Sequence, residues 1–175
     1  TNNTVTMKNG GTAARLSCIE NVLSGSANIS LSNTLTISNN TIQNCAVFQG
    51  TITPNSFYGI VNNGHTPYTL NMNNNTFTGN TSAATTDSTI LIANYTCTSG
   101  YSQGAINMNN NNISGFTFNG TAVYSGAFTG IHNRMLSTTV QALKPDLSIS
   151  NNTVTGIAHP ATLVSTGITY VISNT

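Results

Sequence analysis

Three acids, three histidines and three cysteines are the residues of this chain whose side chains ordinarily do catalytic or metal chemistry. The acids are Glu20, Asp87 and Asp146, and the histidines are His65, His132 and His159. Hydrolysis of a glycosidic bond needs a pair of neighbouring carboxyl groups, and a calcium ion needs several oxygen ligands. The acids and histidines lie far apart along the chain, without the close spacing of a zinc site. The sequence therefore predicts no enzyme, no metal ion and no cofactor.

The cysteines Cys18, Cys45 and Cys97 also lack the spacing of a metal site. Their odd number leaves at least one free thiol or a bridge to another chain. A bridge within the chain stays open at this point. The simplest expectation is that these residues are buried as small apolar side chains.

The amino-acid composition indicates which kind of secondary structure positions these residues. The chain has 28 Asn, 30 Thr and 18 Ser among 175 residues, only 4% of its residues are charged, and its net charge is +1. So little charge excludes the basic surface that binds nucleic acid. No apolar run approaches the ~18 residues of a membrane-spanning helix. The apolar residues occur in short alternating runs rich in Val, Ile, Thr, Phe and Tyr, which is typical of strands, so we predict an all-β fold.

Two short motifs repeat in strict alternation along the chain. The longer one pairs alternating apolar residues with an Asn doublet, as in Leu35–Ile42, Leu70–Phe77, Ile106–Ile113 and Leu147–Val154, with a shortened copy at Asn2–Val5. Its doublets are separated by 37, 35, 36 and 41 residues. The shorter motif is Ile-x-Asn, at Ile19–Asn21, Ile60–Asn62, Ile92–Asn94, Ile131–Asn133 and Ile172–Asn174. A repeat of this length indicates a stacked architecture.

Each period is predicted to contain three strands. Alternation within the longer motif points its apolar side chains to one face on both sides of the doublet. Asn tolerates the left-handed backbone region, so the doublet predicts a tight corner between two strands. A third strand then ends in Ile-x-Asn. Stacking of successive periods places like residues over like in parallel sheets, and stacked Asn side chains can pass hydrogen bonds along a column. Such a column at the third strand would contain Asn21, Asn62, Asn94, Asn133 and Asn174.

The longer motif, closed by Gly79, Gly115 and Gly156 in three of its copies, resembles that of right-handed parallel β-helix proteins of the pectate-lyase-like kind. The resemblance covers essentially the whole chain. It implies one domain over residues 1–175, a single-stranded right-handed parallel β-helix of about five coils, or a segment of a longer solenoid. In that family an asparagine ladder occupies a corner of each coil. Here it would consist of Asn39, Asn40, Asn74, Asn75, Asn110, Asn111, Asn151 and Asn152.

Two departures from that family bear on function. Catalytic members work with clustered acids, often with calcium, and this chain offers no such cluster, so we expect a non-catalytic member. Its periods of 35 to 41 residues exceed a usual coil, and the excess is expected in loops such as 43–59 and 134–146.

Surface residues leave a ligand-binding alternative open. Outward files of Thr flank the corner, as at Thr76 and Thr78, and are interpreted as a β-branched solvent face rather than an ice-binding one. Six tyrosines occur near the third strands and the loops that follow them. They could line a shallow groove for a sugar chain, although Tyr at loop edges is also ordinary packing.

The expected function is structural. The stretch opens in an Asn corner at Asn2 and closes on a third-strand motif at Asn174, with no helix over either end. This pattern predicts either a slice of a longer solenoid or subunits that stack head to tail, as in a filament, appendage or stalk. With so little charge, we expect a secreted or cell-surface protein whose main partner is another copy of itself. The alternative is a polysaccharide-binding or polysaccharide-degrading β-helix of the adhesin or tailspike kind.

Overall fold

In a computed structural model of the protein, every regular element among the described residues is a β-strand. The structure describes residues 1–9, 15–22, 33–48, 56–64, 68–83, 88–96, 104–120, 125–135, 146–159, 167 and 169–174. Alternating runs rich in Thr, Ile, Val and Phe form the strands, as their β propensity predicts. In this part of the chain no helix is long and apolar enough to cross a membrane.

The strands follow one another at the rhythm of the sequence repeat. In chain order they are Thr4–Val5 (β1), Lys8–Asn9 (β2), Leu16–Val22 (β3), Thr34–Thr36 (β4), Thr41–Gln43 (β5), Ala46–Val47 (β6), Phe57–Gly64 (β7), Thr69–Asn71 (β8), Thr76–Thr78 (β9), Thr81–Ser82 (β10), Thr89–Thr96 (β11), Ala105–Asn107 (β12), Asn112–Phe118 (β13), Phe128–Met135 (β14), Asp146–Ser148 (β15), Thr153–Ala158 (β16) and Thr169–Asn174 (β17).

All pairings between these strands are parallel, and each joins strands one period apart in the sequence. The first sheet has the order β4-β8-β12-β15, and the third sheet has the order β3-β7-β11-β14-β17. The second sheet contains β1-β5-β9-β13, with β16 also on β13, and continues from β13 through β10 and β6 to β2. This arrangement of parallel sheets is compatible with a parallel β-helix.

The register stacks equivalent motif positions, as the repeat predicts. Ile42 lies opposite Phe77, which belongs to the next period, and Asn94 lies between Asn62 and Asn133. Because the register is kept, apolar residues of successive periods fall on one another in the interior. Phe57, Phe116, Phe118 and Phe128 meet there with ring centroids 5.2–5.9 Å apart.

The first three periods contain one more strand than the sequence predicted, and in the last two β13 and β16 continue through the same position. Residues 43–59 were expected to form a loop, but Ala46–Val47 (β6) pairs with β2 and β10. A second corner makes this possible, at Asn44 and at the glycines Gly79, Gly115 and Gly156, all with φ between 52° and 65°. Gly79 also passes close to its neighbour, because a Cβ on it would lie 2.7 Å from Asn44 Oδ1. The left-handed backbone turns the chain after only three residues, so a short strand follows where a loop was expected.

Candidate functional site

The first Asn of each doublet forms the corner with its backbone. Asn39, Asn74, Asn110 and Asn151 have φ between 55° and 59°, and their side chains are exposed. Asn adopts this left-handed conformation more readily than most residues because its short polar side chain can bond locally. The sequence placed both members of the doublet in the ladder. The structure gives the first member the turn and leaves its side chain in contact with solvent.

The second Asn of each doublet forms a continuous column of amide hydrogen bonds, which we call the corner column. Each Nδ2 donates to the Oδ1 of the next period, over 3.1 Å for the first bond and 3.0 Å for the three that follow. The members are Asn3, Asn40, Asn75, Asn111 and Asn152. The three central side chains are buried.

The corner column also satisfies the backbone where the strands break. Asn75 Oδ1 accepts the backbone N–H of Asn40 at 3.0 Å, in addition to the amide of that residue. The second hydrogen of Asn75 Nδ2 goes to the carbonyl oxygen of Ile37, at 3.0 Å. Both lone pairs and both protons of the amide are therefore used, so the full hydrogen-bonding capacity of the buried side chain is satisfied. The same pattern recurs at Asn111, which accepts from Asn75 and donates to Met72.

A second column runs through the third sheet, and we call it the strand column. Asn21, Asn62, Asn94, Asn133 and Asn174 are joined by four bonds from Nδ2 to Oδ1, each 2.8 Å long. The three central side chains have no exposed surface. Their backbone groups belong to the regular parallel ladder, and the four bonds of the strand column join side chain to side chain.

Both columns run in the same direction. In every bond between amide groups of these two columns, the residue of the earlier period donates and the residue of the later period accepts. Each column therefore has a free-acceptor end, formed by Asn3 and Asn21, and a donor end, formed by Asn152 and Asn174, as far as the described residues extend. A column of this kind is polar, like a helix with its aligned peptide groups.

Sequence reasoning missed several polar side chains that do the same work. Asn80 is buried beside the second corner, where its Oδ1 accepts from the Cys45 N–H at 2.9 Å and its Nδ2 donates to the Ile42 carbonyl at 2.9 Å. Asn109 Oδ1 accepts the N–H of Ser150 at 2.8 Å. Asn80 could have been found from its position directly after Gly79, which has a left-handed backbone. Each Asn of the corner column likewise comes directly after a left-handed residue.

A group of charged and aromatic residues lies on the outer side of the third sheet. Arg15 forms an ion pair with Glu20, and its guanidinium lies 4.5 Å from the ring centroid of Tyr58. Asn63 donates to Glu20 over 3.3 Å. Because these groups contact one another, Glu20 lies in an ion pair and a hydrogen bond rather than beside a second carboxylate.

His132 and Tyr95 form a second contact on the same side. Their ring centroids are 5.3 Å apart. Burial, with the nearby charge of Arg134, lowers the pKa of His132. Burial is also the main reason that the pKa of Tyr95 rises to about 12. Both shifts favour the neutral form of the side chain.

The remaining chemistry-bearing residues do not assemble into a metal site within the described part of the chain. There, no three His, Cys, Asp or Glu side chains are grouped as a metal ion requires. Asp146 is exposed at the start of β15, and the ring of His159 stacks on Phe118 at 4.4 Å. Asp87, His65 and Cys97 lie outside the described residues.

Comparison of the chain with protein-family models, with curated proteins and with solved structures finds no match. Any inference about function therefore has to come from the contacts within the chain itself.

Proposed function

We propose that this protein is an extracellular structural protein, a right-handed parallel β-helix of about five coils that assembles head to tail. The polarity of the two asparagine columns carries the proposal. One end of the stack offers the acceptors Asn3 Oδ1 and Asn21 Oδ1, and the other offers the donors Asn152 Nδ2 and Asn174 Nδ2. A second copy stacked in the same direction would match donors to acceptors, whereas two like ends would not.

The strand edges at the two ends support the same mode of association. Within the described residues β3 and β17 each have a neighbour on one side only. An edge with free N–H and C=O groups readily pairs with another strand. Continuation in register would place β3 of one copy beside β17 of the next, with Ile19 beyond Ile172 and Asn21 beyond Asn174. The contact is heterologous and so propagates into a filament.

Exposed apolar side chains of β17, the edge strand at the donor end, would also favour association with a second copy. Tyr170, Val171 and Ile172 are 44%, 54% and 45% exposed, although Ile131, one period earlier in the same column as Ile172, is fully buried. A stacked copy would cover Ile172 as β17 covers Ile131. The low charge of the chain leaves little electrostatic repulsion to oppose this approach.

Polysaccharide binding is the second candidate, on the observation that Tyr58 and Tyr95 lie on the outer side of the third sheet. Sugar platforms need open aromatic faces. Here Arg15 lies over the Tyr58 ring and His132 packs beside Tyr95, so each ring already has a partner within the chain. These contacts make this candidate weaker than assembly.

The test is a concentration series followed by sedimentation velocity and negative-stain electron microscopy. The unmodified chain should form particles that lengthen with concentration in steps of one subunit height. Ile172→Lys places a charge in the proposed interface and should hold the chain at its single-chain mass. Thr78→Lys adds the same charge to an exposed position in the middle of the stack and should assemble normally.

Two results would contradict assembly. The unmodified chain could keep its single-chain mass at every concentration, or Thr78→Lys could block association as fully as Ile172→Lys. Polysaccharide binding by a monomeric chain, abolished by Tyr58→Ala, would favour the second candidate instead.

A further inference from the structure

Two cysteines from successive periods face each other in the interior. Cys18 lies in β3, and Cys45 lies between β5 and β6, next to the second corner. Their Sγ atoms are 3.6 Å apart, and both side chains pack in the same apolar core. A disulfide bond is about 2.05 Å long, so the two sulfur atoms would have to approach by only about 1.5 Å.

The surroundings of the pair favour a thiolate on Cys45. The thiol of Cys18 and the backbone N–H of Met7, at 3.3 Å, both donate to Cys45 Sγ. The hydrogen bond from Cys18 is the main reason that the pKa of Cys45 falls to about 7. The same bond, together with burial, raises the pKa of Cys18. When it is protonated, Cys45 can instead donate to the carbonyl oxygens of Val5 and Gln43, at 3.5 and 3.7 Å.

We propose that Cys18 and Cys45 form an intramolecular disulfide when the protein meets a small-molecule disulfide such as oxidised glutathione. Cys18 is partly exposed and Cys45 is buried, so the reagent reaches Cys18 first. The Cys45 thiolate takes the proton of Cys18 across the hydrogen bond between them, and the resulting Cys18 thiolate attacks one glutathione sulfur, which forms a mixed disulfide and releases a glutathione thiolate. Cys45 gives that proton to the released thiolate, attacks Cys18 Sγ and releases the second glutathione thiolate. The two cysteine sulfurs lose two electrons in forming one disulfide, and the disulfide of oxidised glutathione gains two electrons and becomes two glutathione thiol groups.

This bond would secure the period at the acceptor end of the stack. β3 has a sheet neighbour on one side only in the described chain, so it lacks half of the backbone support that β7 or β11 receives. A bond to the corner beyond β5 would tie this edge strand to the next period. It would close a loop between positions 27 residues apart. From the entropy of closing such a loop we expect the oxidised chain to melt about 5–10 °C above the reduced chain.

The decisive experiment maps the cysteines of the natively folded chain. The protein is incubated with oxidised glutathione, free thiols are blocked with an alkylating agent, and the unreduced chain is digested. Chymotrypsin is required, because no Lys or Arg occurs between Arg15 and Arg134. Mass spectrometry should find one linked peptide pair, joining Cys18 to Cys45, in the unmodified chain and in Cys97→Ser.

Matched variants separate this pair from the third cysteine. Cys18→Ser should lose the linked peptides and the response of its melting temperature to reduction, whereas Cys97→Ser should keep both. Recovery of Cys18 and Cys45 with both thiols alkylated would overturn the proposal, as would a link from Cys45 to Cys97. The peptide map of the unmodified chain decides the matter even if Cys18→Ser does not fold.

Discussion

The two asparagine columns have the same side chain and the same direction, yet they satisfy different groups. In the strand column the parallel ladder already satisfies the backbone, and the amides pass a hydrogen bond from one neighbour to the next. In the corner column the strands break, and each amide must also bind a backbone N–H and a carbonyl oxygen. A polar side chain therefore contributes most where the backbone leaves regular structure. There it supplies the hydrogen bonds that backbone N–H and C=O groups lack, in addition to its bonds with neighbouring amides.

The largest expected effect is at a central corner residue. Asn75→Leu should lower the free energy of unfolding by about 3–5 kcal/mol, because several buried groups lose a hydrogen bond at once. They are Asn40 N and Nδ2, Ile37 O and Asn111 Oδ1. Urea denaturation measures the loss. Asn119→Leu, at an exposed position, is the control and should change the value by less than ~0.5 kcal/mol. Equal losses for the two variants would remove the structural basis of the column.

A smaller loss is expected in the middle of the strand column. Asn94→Leu removes the acceptor of Asn62 Nδ2 and the donor to Asn133 Oδ1, but no backbone partner. We expect about 2 kcal/mol, measured by the same denaturation. The comparison between the columns would fail if Asn94→Leu proved as costly as Asn75→Leu.

The different roles of the two Asn residues in a doublet can be tested at Asn74, whose φ is 56°. Asn74→Ala should cost about 1–2 kcal/mol, because alanine gains nothing from its side chain in the left-handed region. Asn74→Gly should be close to neutral, since glycine adopts this conformation without steric cost. Thermal unfolding of both variants gives the answer. If Asn74→Ala did not change the stability, the left-handed conformation at this corner would not depend on an Asn side chain.

The smallest expected effect has the opposite sign and lies in the third sheet. Thr89 is fully buried between Phe57 and Phe128 of neighbouring strands, and its Oγ1 has no hydrogen-bond partner. Thr89→Val keeps the shape, removes the unpaired hydroxyl and should stabilise the protein by about 1 kcal/mol. Thr89→Ala also removes the hydroxyl but leaves a gap, so it should not give this gain. Calorimetry on the two variants measures their stability and separates the cost of the unpaired hydroxyl from the effect of lost packing. A Thr89→Val variant less stable than the unmodified chain would contradict this prediction.

The repeat in the sequence was sufficient to predict which residues stack. Parallel pairing one period apart follows from motif spacing alone. A shifted register would bury Asn beside Ile, so Asn would lose its hydrogen-bond partner and Ile its apolar neighbour. For that reason the sequence predicts Asn62, Asn94 and Asn133 in one column, where the structure has them. The all-β class likewise follows from alternation and from the scarcity of helix-forming segments.

Spacing could not show which way a side chain points once the chain leaves a strand. The separate roles of Asn74 and Asn75 depend on the backbone dihedral at Asn74, which turns its own side chain to solvent and the next one inward.

The second corner, the role of Asn80 and the approach of Cys18 to Cys45 have a common origin in tertiary structure. Each depends on contacts between residues that are distant in the sequence. The amino-acid sequence by itself determined what lies above and below each residue, because stacking repeats a local pattern. Only the tertiary structure decided what lies across the interior, because residues that meet there share no motif and no fixed spacing.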